Sequence, residues 1–253
     1  KANAKLDEHT DKIACVTCHV PKFARGGRKT KMWWDWSTAG KKDQHGKPLV
    51  VKDDQGYDLY NFKKGDFRWE SDVTPEYRWF NGNVLYTLLE DQIDPKGIVP
   101  VNAFLGDAET PDTRIWPVKV MRGKQPYDAE YKTLVAPLTT GEKGYWKTFN
   151  WDQAIELGMQ AVSLPYSGSY DFVATEMTWP ITHMVAPAKD AVQCEECHKE
   201  NGRLANIAGI HIPGANPMGP GGKLGAVILA LTLLGIIGHA IMRFFGRKNM
   251  KEH

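Results

Sequence analysis

The chain has no excess charge of either sign, almost no sustained hydrophobic periodicity, and no cysteine outside two close pairs. Its 32 basic residues face 30 acidic ones, a formal charge of only +2. No broad electrostatic field therefore points to nucleic acid as a partner. Long amphipathic stripes are missing, and 24 glycines, 15 prolines and 9 tryptophans build a weak conventional core. No signal peptide precedes Lys1, which opens directly into KANAKLDEHTDK. Either a leader has been removed or these residues are the back part of a longer polypeptide. No βαβ pattern surrounds either cysteine pair, which argues against a thioredoxin-like thiol couple.

What is present is concentrated. All 4 cysteines lie in Cys-x-x-Cys pairs, and a histidine follows each pair directly: Cys15-Val16-Thr17-Cys18-His19 and Cys194-Glu195-Glu196-Cys197-His198. This pattern marks covalent attachment of a c-type haem, with the thiols adding to the porphyrin vinyl groups and the histidine reaching the iron. A four-cysteine zinc site would have to bridge about 175 residues and would leave both histidines without a role. Two covalently bound haems would also supply the apolar bulk that the composition lacks. Their attachment takes place outside the cytoplasm, so export is implied.

The remaining histidines are candidate distal ligands. His183 lies fifteen residues before His198, in the Trp/Pro-rich segment TWPITHMVAP. His9 precedes Cys15 by six residues, and His211 sits in the apolar context IAGIHIPG before a Gly/Pro stretch. His45, between Gln44 and Gly46, reads as a solvated loop residue. Met184 beside His183 leaves a His/Met alternative open, although adjacent side chains rarely both point at one iron. The basic run from Lys22 to Lys31 has a solvated face as its default meaning, with haem propionates or an acidic partner as the alternative. The cluster Trp33, Trp34 and Trp36 reads as packing.

The expected fold class is mainly α with much irregular structure. It comprises a dihaem c-type cytochrome domain over residues 1–212, a linker over 213–223, a transmembrane helix over 224–246 and a basic cytoplasmic tail over 247–253. Residues 49–52 read as a short strand and 57–80 as extended chain. Apolar residues at helical spacing (Val84, Leu85, Leu88, Leu89) predict a short helix over 83–93. A strand over 114–121 is demoted to an edge by Pro117. Asn150 is placed to cap a helix from Trp151 to about Ser163, with Ala154, Ile155, Leu157, Gly158 and Ala161 on its buried side and Pro165 ending it.

From Leu224 to Met242 the chain reads LGAVILALTLLGIIGHAIM, without a formal charge. At about 1.5 Å per residue this run spans close to 28 Å, near the hydrocarbon thickness of a bilayer. Arg243, Arg247, Lys248 and Lys251 follow and place the C-terminal end in the cytoplasm. The larger N-terminal part then lies on the periplasmic side, in agreement with the compartment that haem attachment requires. His239, one turn before Arg243, is an ionisable group within the span. Its readings are a ligand to a b-type haem, a quinone site shared with a membrane redox subunit, or a neutral side chain reaching for the interface.

The segments WPITHMVAPAKDAVQCEECH, IACVTCHVPKFARGGRKTKMWWDWSTAG and PEYRWFNGN resemble, in order, the C-terminal part of the octahaem tetrathionate reductase family. That resemblance covers most of residues 5–204. It implies an exported multihaem cytochrome with closely packed, mostly His/His-ligated haems, from a family credited with reducing tetrathionate, nitrite and hydroxylamine. It assigns attachment to Cys15, Cys18, Cys194 and Cys197, the proximal role to His19 and His198, and a distal role to His183. His9 fits a histidine that precedes a haem motif in such proteins. Only two attachment motifs are present against the octahaem complement of the family. The membrane helix is an addition, and the family's active-site motif with its lysine ligand is not identifiable. The expected function is electron transfer through two bis-histidine haems, between a membrane partner and haems held by a companion subunit or N-terminal haem portion. One alternative is a catalytic reductase, with Tyr77, Arg78, Lys31 and Arg28 as candidate oxyanion contacts. The other is a membrane-tethered assembly subunit.

Overall fold

The computed structural model describes residues 8–214 and 219–249, and within them the chain is organised by a sheet. Eleven strands form: β1 (Thr30–Asp35), β2 (Val50–Lys52), β3 (Asp58–Asn61), β4 (Gly65–Glu70), β5 (Glu76–Phe80), β6 (Val84–Tyr86), β7 (Val99–Pro100), β8 (Asn102–Phe104), β9 (Arg114–Asp128), β10 (Thr133–Leu134) and β11 (Tyr170–Pro180). Nine of them make one mixed sheet in the order β2-β3-β4-β1-β9-β11-β7, with β5 and β10 also paired to β9. The expectation of a mainly α protein is therefore corrected. Helices are few and mostly short: α1 (Cys15–His19), α2 (Tyr145–Thr148), α3 (Trp151–Ala161), α4 (Cys194–Cys197) and α5 (Pro220–Asn249). Most strands are only two to six residues long, too short to show a clear alternation of apolar and polar positions.

The 15-residue strand β9 is the spine. Antiparallel β11 runs along one edge in unbroken register from Tyr170↔Asp128 to Pro180↔Val118. The other edge is shared in succession by β5 (residues 114–118), parallel β1 (122–124) and β10 (127–128). Pro117 was expected to push this segment to an edge, yet it is fully buried within the spine. A residue's N–H and C=O point to the same edge of a strand, and Pro117 O accepts from Ile181 N–H at 3.0 Å. The donor that proline lacks thus faces the β11 edge where that ladder has just ended, so no β5 hydrogen bond is lost.

The helix expected over 83–93 is also absent. Leu85 and Leu88 are 60% and 57% exposed, so helical spacing there would have had no core to face. Val84–Tyr86 instead pairs with β8 as a two-stranded ribbon, and Leu88 N–H turns back onto Asp91 Oδ2. The Asn150 cap does form, with its side chain accepting from Gln153 N–H. Ala154, Ile155, Gly158 and Met159 are buried along α3, whereas Ala161 is exposed. This face packs with Tyr145 and Trp151, whose rings stack at 3.8 Å, and with Trp36 edge-on to Trp151 at 5.2 Å. Part of the expected tryptophan packing is thus core packing against a helix.

The chain divides into two compact units. One holds residues up to Cys194 together with Asn206–Ile210, and the other holds Glu195–Ala205 and the residues from His211 onward. The second unit contains α5, whose Pro220–Phe244 portion is long and apolar enough to cross a membrane, with a mean hydropathy of 2.3. Lys251 of the expected basic tail lies outside the described residues.

Candidate haem centre

The first motif is bolted to the start of the spine. Ile115, completely buried, offers its carbonyl to Ala14 N–H at 3.1 Å and to the Thr17 hydroxyl at 2.6 Å. Thr17, only 3% exposed, thereby holds the middle of α1 against β9. Cys15 is exposed and Cys18 half-buried, so both α1 thiols stand where a porphyrin edge can reach them. Burial pushes the Cys18 thiol up, with smaller contributions from Cys15 and Cys194.

The ring of His19 is fixed by backbone. Its Nδ1 lies 3.0 Å from Ala186 O, while Ala186 N–H donates to His19 O at 2.6 Å. A carbonyl oxygen only accepts, so Nδ1 carries the proton and the lone pair sits on Nε2, the atom that would face iron. Beneath this loop, Val20, Phe23, Ala24 and Ile181 form a small buried cluster.

In the second unit His198 repeats the arrangement, with Nδ1 3.0 Å from Pro213 O. Gly214, at φ +81°, follows directly, and a Cβ there would lie 2.8 Å from His198 O. Arg203 closes the turn after α4 through its backbone N–H to Glu196 O at 2.9 Å and its guanidinium to Glu196 Oε2 at 2.6 Å. Both CxxCH histidines therefore share one device, a backbone carbonyl that sets the tautomer.

Val192 N–H donates to Cys18 O at 2.9 Å, so the approach to Cys194 runs beside the first motif. The donor set fits c-type haem: accessible thiols on short helices and a histidine whose ring is aimed from behind. Among the described residues no group of three or more His, Cys, Asp or Glu side chains gathers as a metal-ion site.

The other candidates are dispersed. His9 is half-buried in a helical turn ahead of α1, where its carbonyl accepts from Lys12 and Ile13. His211 is exposed, and His239 is exposed on α5 with Thr232, Ile236 and Arg243 along the same groove. His183 is exposed and lines a cavity of about 460 Å³ with Arg28, Lys29, Lys119, Trp179 and Met184. Of the candidate oxyanion contacts only Arg28 reaches that cavity. Tyr77 is buried, and Arg78 is paired to Glu76 at 3.1 Å. Lys31 Nζ lies 4.2 to 5.2 Å from the rings of Phe67, Trp34 and Trp69, and burial, then Lys64 and Lys119, lowers its pKa. The positioning groups that sequence reasoning missed are the carbonyls of Ile115, Ala186 and Pro213. No side-chain pattern announces a carbonyl, although Thr17 inside the first motif was visible as a polar residue in search of a partner.

Comparisons with known proteins place the chain among c-type cytochromes. A sequence model of the family described as "Cytochrome c bacterial" matches residues 31–201, a range that includes His183 and the second motif. Among solved structures the chain is similar to the octaheme cytochrome c from Shewanella oneidensis, at 38% identity and a TM-score of 0.78, over 87% of this chain and 51% of that one. The chain thus spans about half the length of that relative. A comparison with curated proteins finds no match.

Proposed function

This chain belongs to the bacterial cytochrome c family, and from that premise we propose that it is the membrane-tethered electron-relay part of a larger multihaem assembly. Its relationship to an octahaem cytochrome c supports a redox, electron-transfer role. In our reading one haem is held by Cys15, Cys18 and His19 and a second by Cys194, Cys197 and His198, with His9, His183 and His211 as the pool of distal ligands. The bound irons supply one-electron chemistry between ferric and ferrous states. The residues of the chain orient and tune. Ala186 and Pro213 hold the two imidazoles with Nε2 outward, and their carbonyls make the rings more basic, which favours the ferric state.

The observation that carries the proposal is the Val192–Cys18 backbone hydrogen bond, 2.9 Å long. It ties the approach to Cys194 to the backbone of Cys18 within the first compact unit. The helix α5 supports a single-pass anchor, with Arg243 and the basic residues after it toward the cytoplasm and the haem-binding part on the periplasmic side. A membrane redox subunit would exchange electrons there, with His239 available to a b-type haem or quinone at that contact. A companion subunit or N-terminal haem portion would supply the remaining haems of an octahaem set.

The test combines a pyridine haemochrome count with EPR on the detergent-solubilised chain. The proposal expects two covalent haems per chain, both ferric low-spin. A single haem overturns it. A high-spin ferric component that shifts on adding nitrite or hydroxylamine favours the catalytic reductase instead.

A further inference from the structure

The β6–β8 ribbon turns an apolar face to solvent. Leu85, Tyr86, Leu88 and Ile98 are each more than half exposed, and Leu105 beside them is 40% exposed. Outside α5, Val185 is the only other large hydrophobic among the described residues that is more than half exposed. Apolar side chains scattered singly over a surface need no explanation, but this concentration within residues 85–105 marks an interaction site.

The ribbon is held firmly from behind. Asn102, which is buried, donates to Thr178 O at 2.8 Å and accepts from Thr178 N–H at 2.7 Å. Phe104 stacks on Phe80 at 4.2 Å. Leu85 pairs with Ala103, so Leu85 and Leu105 alternate to the side away from Asn102 and Phe104. The apolar face is therefore presented by a fixed surface.

Composition narrows what can sit there. Residues 83–109 contain neither cysteine nor histidine, so thioether attachment and iron ligation do not account for the face. Its rim is acidic: Glu90, Asp91, Asp94, Asp107 and Glu109 are all exposed, against the single base Lys96 within the stretch. Lys12, with Nζ on Ala108 O at 2.6 Å, offsets Asp107 in part. A second copy of the chain or an anionic bilayer would set this rim against like charge. A basic rim complements it. The face also adjoins the first motif: Phe80, under Phe104, pairs with Arg114, and the next residue, Ile115, holds Ala14 and Thr17 through its carbonyl.

We infer that the β6–β8 ribbon, with Leu88 and Ile98, is the docking face for a soluble cytochrome whose exposed haem edge is ringed by lysine or arginine. The inference rests on the electron-relay reading above. A small apolar centre with a charged rim suits a brief encounter, in which the rim speeds arrival and the limited area permits release. Each encounter moves one electron: a ferrous iron on one protein becomes ferric, a ferric iron on the other becomes ferrous, and no bond or proton moves.

The test is stopped-flow oxidation of the dithionite-reduced dihaem chain in detergent, with ferric mitochondrial-type cytochrome c as the lysine-rimmed probe. Its His/Met haem has the higher potential, so the electron runs downhill to it. The second-order rate constant should fall as salt rises. Leu85→Ser with Leu88→Ser, and separately Glu90→Lys with Asp94→Lys, should each lower it by about three- to tenfold at low salt, and the charge reversals should flatten its salt dependence. Val50→Ser with Val51→Ser, on β2, should change nothing. Ferricyanide, a small anion that needs no such face, should oxidise every variant alike. Cytochrome c rates unaltered by the ribbon substitutions would overturn the docking face while ferricyanide oxidation leaves the relay reading standing. A chain that reduces neither acceptor overturns both. Ribbon substitutions that abolish dimerisation or binding to anionic vesicles, with the cytochrome c rate unchanged, would overturn the inference in favour of a second copy or a lipid surface.

Discussion

Gly214→Ala tests how the second CxxCH histidine is tuned. Alanine at φ +81° costs about 1 kcal/mol from its left-handed backbone alone. The added Cβ would lie 2.8 Å from the backbone oxygen of His198, so the 213–214 turn has to withdraw by a few tenths of an ångström. That withdrawal stretches the 3.0 Å contact from Pro213 O to His198 Nδ1. Losing about half of a hydrogen bond whose net value is about 1 kcal/mol removes about 0.5 kcal/mol, most of it from the ferric state that a basic imidazole favours. For a one-electron couple this raises the reduction potential of the second haem by about 20 mV. A spectroelectrochemical titration fitted to two Nernst components should show this rise in one component and no change in the other. A fall in potential, an equal shift of both haems or no shift would refute the claim that the Pro213 carbonyl tunes His198.

Thr17→Val keeps the shape of a residue that is 3% exposed but removes the 2.6 Å bond to Ile115 O. Because that carbonyl keeps its bond from Ala14, the cost should be about 1 kcal/mol, a fall in Tm of about 2–4 °C by calorimetry. Asp128 is fully buried and its carboxylate accepts from Glu130, Tyr131 and Ser167, so Asp128→Ala should destabilise by about 3–5 kcal/mol in denaturant titrations. Burial raises the pKa of Glu76 and of Asp128, but hydrogen bonds and charge from Arg122 in one case, and the Ser167, Tyr131 and Glu130 donors in the other, outweigh it and leave both below their usual values. The unfolded chain then binds more protons in acid. The stabilisation is complete above about pH 5 and is lost as pH falls through the lowered folded-state values. Thermal melts from neutral to acid pH should show that loss, and Glu76→Gln should reduce its slope.

The haem-attachment pattern was legible because cysteine and histidine carry it directly. The α3 helix was legible because Asn150 announces its cap and its apolar residues keep helical spacing. The sheet was not. Pro117 reads as the mark of an edge strand until the end of β11 is known, and strands of two to six residues carry too few positions for alternation to emerge. Residues 83–93 misled in the opposite direction, since Val84, Leu85, Leu88 and Leu89 keep helical spacing without a core to face. The orienting carbonyls of Ala186 and Pro213 were illegible in principle. Any residue has a carbonyl, and only the fold decides where it points.

The β9–β11 ladder also has an electrical meaning. The approaches to the two CxxCH motifs, through Ile115 and through Ile181, leave from the same end of it, whereas Asp128 and Tyr170 close the other. Eleven paired positions at about 3.4 Å each put about 35 Å of saturated peptide between the two ends. Tunnelling decays exponentially over such a path, so the far end behaves as an insulated handle. A chain immobilised through the 163–169 loop should leave its haem end free to exchange charge with a soluble partner. The same loop pressed against an electrode as its only contact should give almost no direct current.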